Sequence, residues 1–337
     1  MQRRLKDYLL ISLKGVAMGA ADAVPGVSGG TIAFISGIYE ELISTISGVN
    51  LALLKTLKSD GFSAFWTKLN GNFLVALLTG IVISFVSFMR LAKYLLEHHP
   101  VLIWSFFFGL IIASILFIGK QITKWSPSAI LALIVGAIAA FYITSLPSLA
   151  SNTNSYFLFI AGAIAICAMI LPGISGSFIL VILGAYKTLS NAFHDFDIKK
   201  IGLFAAGAVV GLLSFSHVLK WLFKNYHNTT LAVLTGFILG SLNKVWPWKK
   251  TVSVMVDKTG DIVPFSTITD FGTLSFFQKT TNDFESYKTV LEESVLPIHY
   301  NELNNYLANP QTILAIGLMI AGFLTIFILE KVGNRAS

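Results

Sequence analysis

Two stretches of proline, glycine and hydroxyl residues break otherwise apolar sequence: Pro25-Gly26-Val27-Ser28-Gly29-Gly30-Thr31 and Pro172-Gly173-Ile174-Ser175-Gly176-Ser177. Proline removes a backbone donor, and helical hydrogen bonding lapses around it. In hydrocarbon the freed groups need protein, water or a ligand as partner. A helix restarting at Ser28 or at Ser175 would present unpaired N–H groups, hydroxyls and a positive dipole end. That combination suits an anion such as phosphate. Close glycine packing between helices would account for one such stretch equally well. Two of them, 147 residues apart and followed at the same spacing by Gly37-Ile38-Tyr39 and Gly184-Ala185-Tyr186, favour a shared site near the bilayer midplane.

The charged residues near these stretches are the next candidates, because ionisable groups inside a membrane are costly and seldom idle. Arg90 and Lys93 lie one helical turn apart, and an ungapped match at an offset of 127 residues sets them against His217 and Lys220. Each half thus carries a basic pair able to meet an anion, although snorkelling of long cationic side chains would also place them there. Asp22 precedes Pro25 by three residues and is a candidate partner for Arg90 or a carrier of a coupling proton. Glu41 is a second candidate for proton coupling, with interfacial charge as the plainer reading. His98 and His99 share a short loop without metal-ligand spacing, and no cofactor is expected. Neither a nucleotide-binding Gly-Lys loop nor a His-Glu-x-x-His helix is present.

Composition sets the environment of these residues. Of 337 residues, 55% are apolar and 12% charged, with mean hydropathy +0.74, whereas a soluble domain carries about 25% charged residues. A soluble enzyme is excluded. The one cysteine, Cys167, allows no internal disulfide and reads as a packing residue. Net charge is +7, yet residues 251–309 hold eight acids against three bases, so the rest of the chain is strongly basic. That asymmetry suits cytoplasmic loops against anionic lipid, not nucleic acid.

The elements that must position the candidate residues follow from the charge-poor windows. Residues 69–89, 101–119, 128–145, 201–223, 229–245 and 303–329 read as spanning helices, each long enough for roughly 30 Å of hydrocarbon. Each Pro-Gly-Ser stretch is followed by three such spans. Three crossings is an odd number, so if the two stretches dip in and return, the second half lies upside down relative to the first. The expected fold is therefore an all-α polytopic membrane protein built as an inverted repeat. Each half has one re-entrant helical hairpin plus three transmembrane helices.

The first repeat would comprise residues 1–150, and the second 151–250 with 310–337. Residues 251–309 form an acidic extracytoplasmic insert, whose Val252-Ser253-Val254-Met255-Val256 and Ile262-Val263 read as a β-hairpin. Counting Lys and Arg puts both termini in the cytoplasm. Arg3, Arg4, Lys6, Lys14, Lys55, Lys58, Lys68, Lys120, Lys124, Lys224, Lys331 and Arg335 fall inside, while residues 97–100 and 146–155 contain none. Lys199 and Lys200 fall outside, beside Asp195 and Asp197. The basic N-terminus is not read as a cleaved signal, because Lys14 interrupts the apolar run and the repeated motif follows directly.

Taken together, Gly19-Ala20-Ala21-Asp22-Ala23-Val24-Pro25-Gly26-Val27-Ser28-Gly29-Gly30-Thr31, Gly37-Ile38-Tyr39-Glu40-Glu41-Leu42 and Leu171-Pro172-Gly173-Ile174-Ser175-Gly176-Ser177 resemble the PopT-type polyprenyl-phosphate transporter family, formerly a bacterial membrane family of unknown function. The resemblance implies a flippase of the bacterial cytoplasmic membrane. It would return undecaprenyl phosphate from the outer to the cytoplasmic leaflet for reuse in cell-envelope polysaccharide synthesis. Substrate contacts would come from Pro25, Gly26, Ser28, Gly29, Gly30, Thr31, Pro172, Gly173, Ser175, Gly176 and Ser177, with Arg90, Lys93, His217 and Lys220 around them. A polyprenyl-phosphate lipid and the bilayer are then the partners.

Two other classes share some of these features. Membrane undecaprenyl-diphosphate phosphatases also use a Pro-Gly-x-Ser segment, but follow the serine with an arginine to stabilise developing phosphate charge. Gly29 and Gly176 stand in that place here. A small-anion channel or exchanger would also use helix N-termini bearing serine and glycine.

Overall fold

The computed structural model describes residues 3–22, 28–146, 154–256, 262–267, 287–303 and 310–334. It is mostly helical. Helices α1 (Leu5–Asp22), α2 (Gly29–Ile35) and α3 (Tyr39–Ser47) are followed by two short helices, α4 (Leu51–Ser59) and α5 (Gly61–Lys68). Then come α6 (Gly71–His98), α7 (Pro100–Gln121) and α8 (Pro127–Ser145). The second series is α9 (Phe157–Ile170), α10 (Gly176–Ile182), α11 (Tyr186–His194), α12 (Ile198–Asn225) and α13 (His227–Gly240), which runs into a 3-10 turn, Ser241–Val245.

Among the described residues α7, α8 and α12 are each long and apolar enough to cross a membrane, and α5 with the first part of α6 makes a fourth candidate, bent by 62°. Basic Lys55, Lys58 and Lys68 lie in the two short helices that precede α6.

The helices pair in a regular pattern: α1 with α6, α9 with α12, α8 with α13, and α7 with the last helix, α15 (Thr312–Asn334). Glycines set the closest approaches. A methyl group at Gly80 would overlap the Ser12 carbonyl oxygen, and one at Gly207 would overlap that of Phe159. Gly15 stands in the same relation to Leu77, and Gly162 to Phe204. Gly207, Phe159, Gly162 and Phe204 in the α9·α12 contact are the sequence counterparts of Gly80, Ser12, Gly15 and Leu77 in the α1·α6 contact. The other pairs are reciprocal too: Gly136 abuts Val233 and Gly322 abuts Phe106, while Gly109 abuts Met319 and Gly236 abuts Leu133. Lipid tails are as apolar as leucine, so helices in a bilayer gain little from hydrophobic contact and depend on close backbone approach. On α8, Ala129, Gly136 and Ala140 accordingly face inward, while Leu131, Val135, Ile138 and Tyr142 face outward.

The short helices end alike. Gly37 and Gly184 both adopt left-handed backbone, with φ +74° and +67°. The next amides, of Ile38 and Ala185, close back on the carbonyls of Ala33 and Leu180 at 3.0 and 2.9 Å. Only glycine takes that conformation without strain, which explains why this position recurs in both motifs.

The acidic insert contains a three-stranded antiparallel sheet in the order β2-β1-β3, made of β1 (Lys249–Val256), β2 (Ile262–Pro264) and β3 (Tyr287–Ser294). The β1–β2 hairpin pairs Val254 with Val263, as the sequence suggested, while β3 was not anticipated. Helix α14 (Pro297–Leu303) follows. The expected final span starts later than Leu303, at Thr312, because Pro310 precedes the helix. Trp248, Val101, Tyr300 and Ala315 pack together and seat the sheet on the ends of α7 and α15. At the other end of the bundle Arg3 binds Glu41, His227 meets Glu40, and Thr123 binds Asn228.

Candidate functional site

The two motifs meet. Ser28 is the N-cap of α2: its hydroxyl accepts from the Gly30 amide at 3.1 Å and donates to the Met169 carbonyl at 3.0 Å. Three residues on, the Thr31 hydroxyl accepts from the Gly173 amide at 2.9 Å. Tyr39, fully buried at the start of α3, donates to the Ile170 carbonyl at 3.1 Å. The carbonyls of Met169 and Ile170 belong to the end of α9, where Pro172 halts the helix, and would otherwise lack partners. Hydroxyls from the first half thus satisfy backbone groups freed by the break in the second. Ser28 and Thr31 are each 1% exposed, so these bonds are made away from solvent.

Small residues are needed for this contact. A methyl at Gly30 would come within 2.7 Å of the Ile170 carbonyl, and one at Gly173, whose φ is +87°, within 2.9 Å of Phe237 and Ser241 oxygens. Gly176 is likewise close to the Ala165 carbonyl, at 2.8 Å. Pro172 is buried beside them.

The tips differ in access. Ser175 and Ser177 bond each other at 2.9 Å; Ser175 is half-buried and Ser177 exposed. At the first tip the Gly29 amide donates to an Asp22 carboxylate oxygen at 2.6 Å. An anionic oxygen therefore already occupies the helix start, supplied by the protein itself. Lys14 serves the other end of α2, donating to the Ser36 carbonyl at 2.7 Å.

The remaining candidates lie in different places. Pro25 and Gly26 fall outside the described residues. Arg90 and Lys93 lie towards the end of α6, and their side chains also fall outside the described residues. His217 and Lys220 are exposed on α12; the His217 ring bonds back to the Leu213 carbonyl at 2.7 Å. Among the described residues neither is bonded to the two motifs. Glu41 forms two bonds of 2.6 Å with Arg3 and accepts from Asn70 at 2.8 Å. Burial raises the Glu41 carboxyl, but the bonds from Arg3 and Asn70 and the charges of Arg3 and Lys14 outweigh it and hold it below its ordinary range. Cys167 places its sulfur 3.6 Å from the Gly211 carbonyl, as a packing residue would.

Tyr39 joins the site through its burial and its bond to Ile170, which its place in a repeated motif does not by itself reveal. Among the described residues no group of histidine, cysteine and carboxylate side chains could hold a metal ion.

Comparison with known proteins shows the family. A family model described as undecaprenyl phosphate translocase-like matches residues 18–263, which include both motifs. A protein of Vibrio cholerae serotype O1 named "Polyprenyl-phosphate transporter" is 42% identical over 335 residues, covering 99% of this chain and all of the relative. A Staphylococcus aureus protein of the same name is 34% identical over 262 residues, covering 72% of this chain and 88% of the relative. No solved structure matches the chain.

Proposed function

Because the chain belongs to the undecaprenyl phosphate translocase-like family, we propose that it moves a polyprenyl phosphate, undecaprenyl phosphate in the bacterial cytoplasmic membrane, from the outer to the cytoplasmic leaflet. It is a transporter and not an enzyme. The observation that carries the reading is the junction of the two motifs, where Ser28 and Thr31 bond the 169–173 segment. The phosphate head would bind at that junction, against the amides and hydroxyls of Ser28, Gly29, Gly30, Thr31, Ser175, Gly176 and Ser177, while the polyprenyl tail stays in lipid.

Energetics are compatible with this. An unaided charge at the bilayer centre costs at least about 2.5–3.5 kcal/mol, and a few charge-assisted hydrogen bonds of about 1.5–3 kcal/mol each offset it. The Asp22 carboxylate on the Gly29 amide supports the reading, since it is chemically a stand-in for a phosphate oxygen. The incoming head would displace it, and a proton taken up by the released carboxylate would couple transport to a gradient. Glu41 suits that role less, being held ionised by Arg3 and Asn70.

The reciprocal helix contacts support an inverted repeat of two halves, each with a re-entrant hairpin and three spans, with both termini cytoplasmic. Rocking of one half against the other would then transfer the head between leaflets. Ser28 is sealed and Ser177 exposed, which supports a conformation open on the side of the second motif. The basic residues Arg90, Lys93, His217 and Lys220 would draw the anion towards the cleft from either face.

The test is translocation of undecaprenyl phosphate by purified protein in liposomes. Transport by wild type, with a large loss in the double variant Ser28→Ala/Thr31→Val, is expected; no transport by folded wild type would refute the reading.

A further inference from the structure

At the sheet end of the bundle a cavity of about 380 Å³ opens between the end of α8, the 3-10 turn after α13 and the sheet. Thr144, Ser145, Phe178, Lys244, Lys249 and Glu292 line it. Phe178 directly follows Ser177, so the floor of the cavity adjoins the exposed tip of the second motif. None of these residues belongs to the junction described above.

The charge in this cavity is unbalanced. Lys244 and Lys249 both face Glu292, at 3.7 and 3.6 Å. These separations are longer than a hydrogen bond, so the carboxylate leaves ammonium donors for another acceptor. Glu293 also lines the cavity, but it is exposed and, among the described residues, bridges neither lysine, so solvent screens its charge more than that of Glu292. The two lysines are held in place. Lys244 lies 4.6 Å above the Phe178 ring and Lys249 5.0 Å from the Trp104 ring, with Lys249 also donating to the Lys244 carbonyl. Burial lowers Lys249 to about 8, partly opposed by Glu292, so it remains a cation at neutral pH. For Glu292 burial acts upward, but the neighbouring lysines outweigh it and keep the carboxylate ionised.

We propose that this cavity is a receiving site for a phosphate group, in which Lys244 and Lys249 bind the phosphate oxygens and Glu292 bridges the two lysines until the phosphate displaces it. The proposal rests on the transport reading for its ligand class, and adds a second, peripheral site that feeds the tip at Ser177. A surplus positive charge, neutral hydroxyls from Thr144 and Ser145, and aromatic rings that orient the ammonium groups are the features of phosphate recognition by lysine.

The site is tested by protection of a thiol. Full-length Asn243→Cys protein, with Ser294→Cys as a second variant, is reconstituted in liposomes and treated with a membrane-impermeant methanethiosulfonate. Both positions line the cavity, and the wild type, whose one thiol lies in α9, gives the blank. A short-chain polyprenyl monophosphate is expected to slow modification about tenfold, the effect of losing or gaining one charge-assisted contact, while the matching polyprenol does nothing. Protection by the lipid at concentrations where inorganic phosphate fails assigns the site to a headgroup; equal protection by inorganic phosphate assigns it to free phosphate. Lys244→Gln should weaken protection about tenfold and Glu292→Gln should strengthen it. Opposite signs are required, because a purely structural ion pair would weaken both. Absence of protection by either phosphate in liposomes that transport normally overturns the site and leaves the transport reading intact. Protection in liposomes that transport nothing does the reverse.

Discussion

Thr31 and Gly173, 142 positions apart in the chain, are joined by a hydrogen bond of 2.9 Å from the glycine amide to the threonine hydroxyl. Both ends are buried, and each lies in one of the two Pro-Gly-Ser motifs. The bond ties the first tip to the backbone of the second.

Removing that acceptor leaves a buried amide without a partner, which costs about 1–3 kcal/mol. Thr31→Val keeps the shape and should lower the thermal midpoint of the purified protein, whereas Thr31→Ser should restore most of it. Equal midpoints for Thr31→Val and wild type would show that the contact contributes nothing.

The glycine contacts predict a matched pair of effects. Gly80→Ala and Gly207→Ala force a methyl into a backbone carbonyl, and each should destabilise by about 1–3 kcal/mol through overpacking. Gly119→Ala meets nothing within 4 Å and should be neutral or stabilising by up to about 1 kcal/mol. Denaturation of the three variants in detergent separates these cases.

Glu41 contributes stability whose pH dependence has a defined sign. Its folded carboxyl lies below the ordinary value, so the contribution is present at neutral pH and is lost as the pH falls through the folded value. The Arg3 and Glu41 side chains are 34% and 27% exposed, which limits the pair to about 1 kcal/mol or less. Arg3→Gln and Glu41→Gln should each be mildly destabilised at pH 7, and the difference from wild type should shrink on acidification. A difference that grows in acid would contradict the assignment.

For Asp22, the expected outcome concerns transport. If its carboxylate accepts the coupling proton, Asp22→Asn should flip lipid with little response to an imposed pH gradient, while wild type responds strongly. The same gradient response in both would remove Asp22 from coupling.

Much of this arrangement could be read from residue types. Both motifs, their spacing and the glycines at 37 and 184 are visible because left-handed backbone and broken helices restrict the choice of residue. The Met169 and Ile170 carbonyls were not visible, since a backbone acceptor leaves no mark on side-chain identity. The bond from the Gly29 amide to Asp22, a partner seven residues away, was not visible either, because a backbone donor at a helix start selects a carboxylate without fixing its place in the sequence. β3 escaped notice because its pairing with β1 spans a long stretch of chain, and the cluster of Lys244, Lys249 and Glu292 exists only through that pairing. Tyr39 lay within a recognised motif, but its role depends on burial, which a single aromatic does not announce.

The central claim is that a lipid phosphate binds where the two motifs meet. Photocrosslinking with a polyprenyl phosphate carrying a diazirine beside its headgroup tests this most directly. The account predicts that residues 28–31 and 172–177 carry the label and that excess undecaprenyl phosphate removes it. Labelling confined to the outer faces of α8 and α15, with neither motif modified, would contradict it.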